Sequence, residues 1–202
     1  KKLISYHKRN ERERSAELIE RIRAGELVAV ISDAGTPGIN DPGYVLVSEA
    51  VAAGLPVVAV PGPAAFVTAA VVSGLPTASI FFGGFLPSRK GERRRRLEQV
   101  RGIPATLVFY ESPHRLAASL ADCLEILGDR MAAVARELTK LHEEISRGTL
   151  AELSKRFAAA NVKGELILVI DRASGEKMLV ESAETLGERV QQLESGGMDR
   201  KA

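Results

Sequence analysis

Two kinds of apolar segment alternate along the chain: short continuous apolar runs, and longer segments in which apolar residues recur every three or four positions. Short continuous apolar runs of strand length occur at residues 27–31 (LVAVI) and 56–60 (PVVAV). Elsewhere the apolar positions lie three or four residues apart, as in residues 11–24, where Leu18 and Ile22 share one helical face. Continuous apolar strands are typical of sheets covered by helices on both faces. The pattern therefore predicts an α/β fold with mixed, largely parallel sheets.

Glycine, proline and hydroxyl residues mark the ends of these elements. Ser112 is predicted as the N-cap of a helix with Pro113 at its first position and Gly128 after its end, and Thr149 is predicted to cap the next helix. The predicted helices are 11–24, 44–53, 65–73, 89–101, 113–127, 149–160 and 183–194. The predicted strands are 27–31, 56–60, 79–86, 105–110, 131–136, 143–148 and 164–172.

The segment GLPTAS near residues 74–79 is the predicted divide between two lobes. Residues 1–76 are expected to form an N-terminal α/β lobe that lacks its first strand, and residues 77–172 a C-terminal α/β lobe. Residues 173–202 are expected to be a tail and the start of a truncated helical extension. Because the first methionine is Met131, we expect the chain to be an internal fragment of a longer protein.

Composition narrows the functional classes. The 202 residues are 45% apolar and carry a net charge of only +2, which excludes wholesale disorder. No apolar run approaches the roughly 20 residues that span a bilayer, so no membrane association is expected. The single cysteine, Cys123, cannot form an internal disulfide, which favours a reducing compartment and a cytoplasmic location. The chain has no HExxH motif and no Cys/His cluster, so no metal site is expected.

Two glycine-bearing turns follow the first two predicted strands, at 32–43 (SDAGTPGINDPG) and 61–65 (PGPAA). In open α/β sheets ligands bind beyond the carboxyl ends of strands, where glycines let the backbone approach a ligand closely. Asp33 could there accept hydrogen bonds from a ribose hydroxyl or an amine. The alternative is a tight turn in which Asp33 only caps the backbone.

Two further segments carry groups that can transfer protons or hold anions. ESPHR places Glu111, His114 and Arg115 at another strand end, and ELTKLHEE supplies Lys140. These four residues are the catalytic candidates, since Glu and His can move protons and Arg can hold a phosphate. The alternative for the first two is structural, with Glu111 capping a backbone group and His114 packing on a helix.

A run of basic residues, SRKGERRRR, follows the third predicted strand and carries a net charge of +5 in nine residues. A solvated helix face is the usual role of such a run, but adjacent arginines repel each other, and a polyphosphate partner explains them better. The candidate RNA-binding residues are Arg89, Lys90, Arg93, Arg94, Arg95 and Arg96.

Taken in order, the motifs VISDAGTPGINDPG, VVAVPGPAA, FFGGFLPSRKGERRRR, TLVFYESPHR and ELTKLHEE resemble the small-subunit ribosomal RNA methyltransferase I family of the tetrapyrrole-methylase superfamily. The resemblance covers about residues 1–172. It implies a two-lobed α/β fold, S-adenosylmethionine in the cleft between the lobes, and a homodimer. It also implies 2′-O-methylation of a cytidine ribose in 16S rRNA of the small ribosomal subunit. The family's usual first strand and glycine-rich loop have no counterpart here.

The resemblance also implies which residues contact the cofactor. These are the first loop, the second turn, a strand-end tyrosine and the start of the last strand, namely Asp33, Ala34, Gly35, Thr36, Pro37, Gly62, Pro63, Ala64, Tyr110, Gly164 and Glu165. Two alternatives stay open. A tetrapyrrole methylase would use the same cofactor fold, although it needs no arginine run. A non-catalytic RNA-binding module could keep the fold, although the intact glycine turns argue against it.

Overall fold

The computed structural model describes residues 3–173, so the predicted helix 183–194 lies outside the described residues. The chain divides into two compact units, the first ending at Val67 and the second beginning at Thr68. This division falls inside a helix, nine residues before the divide predicted after residue 76. No helix among the described residues has the length and apolar character that crossing a membrane requires.

The helices and strands follow the predicted order, with two exceptions given below. The helices are α1 (Glu11–Arg23), α2 (Tyr44–Ala52), α3 (Ala65–Ser73), α4 (Lys90–Val100), α5 (Leu116–Leu127) and α6 (Leu150–Phe157). The strands are β1 (Ile80–Phe85), β2 (Thr106–Glu111), β3 (Met131–Arg136), β4 (Glu144–Thr149) and β5 (Leu166–Ile170). The predicted cap of α6 is confirmed, because Thr149 and Glu152 form a reciprocal capping box.

The first unit is built on the packing of α1 against α2. Leu18 and Ile19 of α1 and Leu46 and Ala50 of α2 form its buried apolar cluster, whereas Ile22, the third apolar residue of the predicted stripe of α1, is only half-buried. The hydroxyl of Tyr6 bonds to the buried hydroxyl of Ser15 at 2.9 Å. The segment before α1 is thereby fixed to the helix.

The prediction of strands at 27–31 and 56–60 is wrong for this structure. Neither run is paired in a sheet within the described residues, and Leu27 and Val58 are 99% and 84% exposed. A strand is stabilised by hydrogen bonds to a neighbouring strand and by side-chain packing on that pair. An apolar run can therefore have the composition of a buried strand without forming one, when no strand in the described part of its unit pairs with it.

The second unit contains a five-stranded sheet of order β1-β2-β5-β3-β4. The α/β class and the mixed sheet are confirmed, but the prediction of largely parallel pairing is wrong for the described strands. Only β1 and β2 pair in parallel, whereas β2–β5, β5–β3 and β3–β4 are antiparallel. All five residues of β5 are buried. Its apolar run reflects cover on both faces, which strand direction does not determine.

Helices α4, α5 and α6 pack on the sheet through one continuous apolar cluster. Alternate strand residues such as Leu107, Phe109 and Leu168 point into it, as expected for side chains on one face of a sheet. From the pairings, β1, β2 and β3 run one way and β4 and β5 the other. The carboxyl ends of β1, β2 and β3 and the amino ends of β4 and β5 therefore lie at the same end of the sheet, here called the site edge.

Candidate functional site

In the first unit, the two predicted glycine turns are tied together. The backbone N–H and the hydroxyl of Thr36 both donate to the carbonyl oxygen of Pro63, at 3.0 and 3.2 Å. Gly35 has a φ of +72°, and a Cβ built on it would lie 2.9 Å from the same oxygen. A Cβ on Gly62 would lie 3.1 Å from the Thr36 hydroxyl. The positive φ and the backbone contact at Gly35 require glycine there, and the structure places the two turns side by side.

The first turn presents an acidic side chain beside this junction. The Ser32 hydroxyl donates to the carbonyl oxygens of Ala34 and Gly35, at 3.2 and 3.0 Å, which closes the turn. Asp33 is exposed and lies between these groups in sequence, whereas Pro37 is half-buried. The first turn therefore carries two exposed acidic residues, Asp33 and Asp41, and the neighbouring Gly62 and Pro63 of the second turn are exposed as well.

The ESPHR segment lies at the site edge of the second unit, but it does not begin a helix at Ser112. Residues 113–115 form a turn, and α5 begins at Leu116. The N–H groups of Arg115 and Leu116 both donate to the Ser112 carbonyl oxygen at 3.1 Å. The expected N-cap role of Ser112 is wrong, because its hydroxyl accepts a hydrogen bond from Nε of Arg115 at 2.9 Å instead.

Glu111 is buried, and both oxygens of its carboxylate are engaged. Oε1 accepts from the Ser112 N–H at 2.7 Å and pairs with Nη2 of Arg115 at 2.9 Å. Oε2 accepts from the hydroxyl of Ser119, a residue of α5, at 2.5 Å. A general base needs a lone pair that can reach its proton. This geometry favours the structural alternative for Glu111, which fixes Arg115 and the start of α5.

The other two candidates of the segment differ in exposure. His114 is exposed, so the alternative in which it packs on a helix is not what the structure shows. Arg115 is half-buried and held by Ser112 and Glu111. The ESPHR segment thus carries an accessible imidazole beside a fixed guanidinium.

Lys140 lies in the loop between β3 and β4, which reaches the same edge. Its ammonium group lies 3.1 Å from Glu137 and 3.0 Å from Glu165. Hydrogen bonds to Glu165 and then to Glu137 raise the pKa of Lys140 above its ordinary value of 10.5. The group is therefore a cation at neutral pH, which suits charge stabilisation and excludes service as a neutral base.

Glu137 is a site residue that the sequence-based candidates left out. Its Oε1 accepts the N–H of Glu165 at 2.8 Å, and this bond, together with Lys140, lowers the pKa of Glu137. Glu137 and Thr139 have positive φ angles of 48° and 65°, which is uncommon for residues with side chains. A Cβ on Gly164 would lie 2.5 Å from the Glu137 carboxylate. The sequence ELTK does not indicate these positive φ angles, which only the structure shows.

Tyr110, the predicted cofactor neighbour in β2, contacts two aromatic rings of β1. The ring centroids of Phe82 and Phe85 lie 5.0 and 5.4 Å from that of Tyr110, both in edge-to-face geometry. These three residues are here called the aromatic cluster. Because Phe85 and Glu111 both end their strands, the cluster lies beside the ESPHR segment at the site edge.

The basic run forms α4, but its first two consecutive arginines face α5. Arg93 is buried and donates from Nε and Nη2 to Asp122, which is also buried, at 2.8 and 2.6 Å. Arg94 pairs with Glu125 at 2.5 Å and with Asp122 at 3.4 Å. The structure thereby corrects the expectation for Arg93, whose charge is neutralised inside the protein and does not reach solvent.

The remaining basic residues divide by exposure. Arg89, Lys90 and Arg95 are exposed, and Arg89 lies 3.3 Å from Glu92 in a solvent-exposed pair. The guanidinium of Arg96 stacks 5.5 Å above the ring of Phe81. Such exposed charges are available to a polyanion, since surface pairs of this kind contribute little stability.

Comparison with known proteins agrees with these features. The family model for Tetrapyrrole (Corrin/Porphyrin) Methylases matches residues 4–154. The ribosomal RNA small subunit methyltransferase I of Halalkalibacterium halodurans is 48% identical over 177 residues, covering 88% of this chain and 61% of the relative. That of Thermotoga maritima is 44% identical over 170 residues, covering 84% of this chain and 76% of the relative. The chain spans 61%, 60% and 54% of the length of three such relatives.

Solved structures share the fold. A uroporphyrin-III C-methyltransferase from Thermus thermophilus in complex with S-adenosylhomocysteine aligns with a TM-score of 0.53 and 20% identity, over 81% of this chain and 74% of that one. A diphthine synthase aligns with a TM-score of 0.63 and 16% identity, over 85% and 70%. At these identities the likeness concerns the fold alone.

Proposed function

Because the chain belongs to the tetrapyrrole methylase family, and within it to the ribosomal RNA small subunit methyltransferase I family, we propose that it methylates a cytidine ribose 2′-oxygen in 16S rRNA. The observation that carries this proposal is the 44% identity to the Thermotoga relative, of which the chain covers 76%. The geometry of the two turns, the site edge and α4 supports it.

The tied turns of the first unit fit S-adenosylmethionine. Gly35 and Gly62 let the two turns approach each other closely, and the exposed Asp33 offers a carboxylate to an amine or a ribose hydroxyl. We assign cofactor binding to the first loop and second turn, and to Tyr110, Gly164 and Glu165 of the second unit. When bound, S-adenosylmethionine supplies a methyl group on a positively charged sulfur, which an oxygen nucleophile can attack.

The chain's own residues must then orient the ribose and handle its proton. A ribose hydroxyl is a weak nucleophile, and the exposed imidazole of His114 is the group at the site edge that we assign to receive its proton. Arg115, held by Glu111 and Ser112, supplies a fixed guanidinium that suits a ribose-phosphate oxygen. Lys140 serves as a cation, and Glu111 as the group that positions Arg115.

We assign RNA docking to the exposed basic residues Arg89, Lys90 and Arg95, with Arg96 beside them. The small ribosomal subunit is the proposed substrate particle, the cytoplasm the proposed location, and a homodimer the proposed assembly. Phosphate contacts of this kind provide affinity that decreases as salt increases.

The function is tested by transfer of a labelled methyl group from S-adenosylmethionine to small ribosomal subunits, naked 16S rRNA and a tetrapyrrole in parallel. We expect label in RNA and none in the tetrapyrrole. Asp33→Ala should lower both cofactor affinity, measured by calorimetry, and transfer, whereas Glu13→Ala, which removes an exposed carboxylate from α1, should leave both unchanged. Label in the tetrapyrrole alone would replace this function with the tetrapyrrole alternative, and label in neither would favour a non-catalytic module.

A further inference from the structure

The aromatic residues of this chain are concentrated in two neighbouring strands. Six Phe and three Tyr residues make up the aromatic set, since the chain has no Trp. Five of these nine lie in β1 and β2, namely Phe81, Phe82, Phe85, Phe109 and Tyr110. Phe81 and Phe109 pack with the apolar cluster under the helices, whereas Phe82, Phe85 and Tyr110 form the aromatic cluster.

An irregularity in β1 brings Phe82 and Phe85 together. In a regular strand, residues three apart point to opposite faces of the sheet. Here Phe82 is opposite Val108 and Phe85 is opposite Tyr110, so β1 uses one residue more than β2 over this stretch. The extra residue is a β-bulge, a feature that redirects side chains and is common next to active sites. It places Phe85 on the face where Phe82 and Tyr110 contact each other.

Two glycines make the bulge possible. Gly84 has a φ of +67°, a conformation that residues with a Cβ rarely adopt. A Cβ on Gly83 would overlap the ring of the buried Phe109. The sequence FFGGF is therefore a local arrangement that keeps Phe109 in the core and sends Phe85 to the opposite face.

The arrangement leaves Phe85 largely in solvent, and basic residues follow it closely in the chain. Phe85 is 55% exposed. Arg89 and Lys90 follow it by four and five residues at the start of α4, and both are exposed. Proteins hold unpaired bases by combining exposed aromatic rings, on which the bases stack, with basic residues that contact the phosphates.

We propose that Phe85, supported by Phe82 and Tyr110, is a stacking platform for an unpaired nucleobase of the RNA substrate. The proposal rests on the proposed function and adds a specific contact to it. A nucleobase fits better than a second copy of the chain, because one ring is far smaller than the roughly 800 Å² per partner of a stable interface, and like charges would meet across it.

The test is binding of a short single-stranded RNA that carries 2-aminopurine, whose fluorescence decreases on stacking. Phe85→Ala and Phe85→Leu should each weaken binding about tenfold and abolish the fluorescence decrease, whereas Phe85→Trp should retain both. The slope of log affinity against log salt should stay as in the wild type, because no phosphate contact is lost. Met131→Ala, which truncates a 49% exposed side chain at the opposite edge of the sheet, should bind as the wild type does.

Four outcomes would overturn the proposal, and they differ in what else they affect. If the wild type binds RNA and the Phe85 variants bind and quench equally well, the platform alone is wrong. If these variants lose cofactor affinity with RNA affinity intact, the ring stacks on the adenine of the cofactor. If they change the sedimentation coefficient, the ring belongs to an interface between copies. A wild type without any RNA affinity would overturn both this inference and the proposed function.

Discussion

Acidic side chains in the second unit show how burial decides the role of a charged residue. Glu111 and Asp122 both lie among titratable neighbours, and both are buried with their oxygens bonded to groups of the same chain. Residue type alone does not distinguish a catalytic carboxylate from a structural one. The distinction depends on the Arg115 and Arg93 side chains that fold onto them, and this packing is a property of the tertiary structure.

We predict that Asp122→Ala destabilises the protein by about 3–5 kcal/mol, because it leaves the buried guanidinium of Arg93 without its counter-charge. The control is Glu125→Ala, which removes the 61% exposed partner of Arg94 and should cost much less stability, because solvent screens an exposed pair. Urea unfolding of the two variants measures the difference. Equal costs would mean that the Arg93–Asp122 pair contributes no more than a surface pair.

At the scale of elements, the loop between β3 and β4 combines strain with charge. Two residues with positive φ, Glu137 and Thr139, are held by bonds to Glu165 and Glu143. Strained backbone persists only where the surroundings fix it, and it concentrates at functional sites. The loop therefore fits a role in presenting Lys140 at the site edge.

We predict a pH-dependent stability difference between the wild type and Glu137→Gln. The pKa of Glu137 is lowered from 4.5 by the N–H of Glu165 and by Lys140, so its ionised form stabilises the folded state. That contribution is present above pH 4.5 and is lost as the pH falls through the lowered pKa. Thermal unfolding should show the variant less stable at pH 7 and equal to the wild type at strongly acidic pH. A difference that persists unchanged in acid would assign it to packing.

Helices and strands could be predicted from the sequence where local signals, such as a glycine after a helix, determine the structure. Helices α1, α2 and α3 each end before a glycine with positive φ, at Gly25, Gly54 and Gly74, as their sequence positions predicted. It failed at 27–31 and 56–60, where a strand requires a partner that no local pattern supplies. The helix start at Ser112 failed because Glu111 and Arg115 compete for the groups that would cap it.

For the molecule as a whole, the α/β class and the order of the five observed strands along the chain could be predicted from the sequence, whereas the hydrogen bonds that join the two glycine turns could not. The direction of the strands could not be predicted. An apolar run such as β5 indicates that both faces of the strand are buried, but it does not indicate which strands lie beside it or in which direction they run. Nor did the sequence predict that the arginine run would divide between Arg93, which stabilises the fold, and Arg95, which is exposed. Which of these arginines is buried depends on which side of α4 faces α5.

We propose that this chain directs a methyl group to a ribose oxygen of cytidine in 16S rRNA. The most direct measurement is nucleoside analysis by mass spectrometry of 16S rRNA, taken from small ribosomal subunits that lack the modification and were incubated with the protein and S-adenosylmethionine. We expect one new 2′-O-methylcytidine, absent when the cofactor is omitted and reduced in Asp33→Ala. A methyl group on a base, or RNA without any new methyl group, would contradict it.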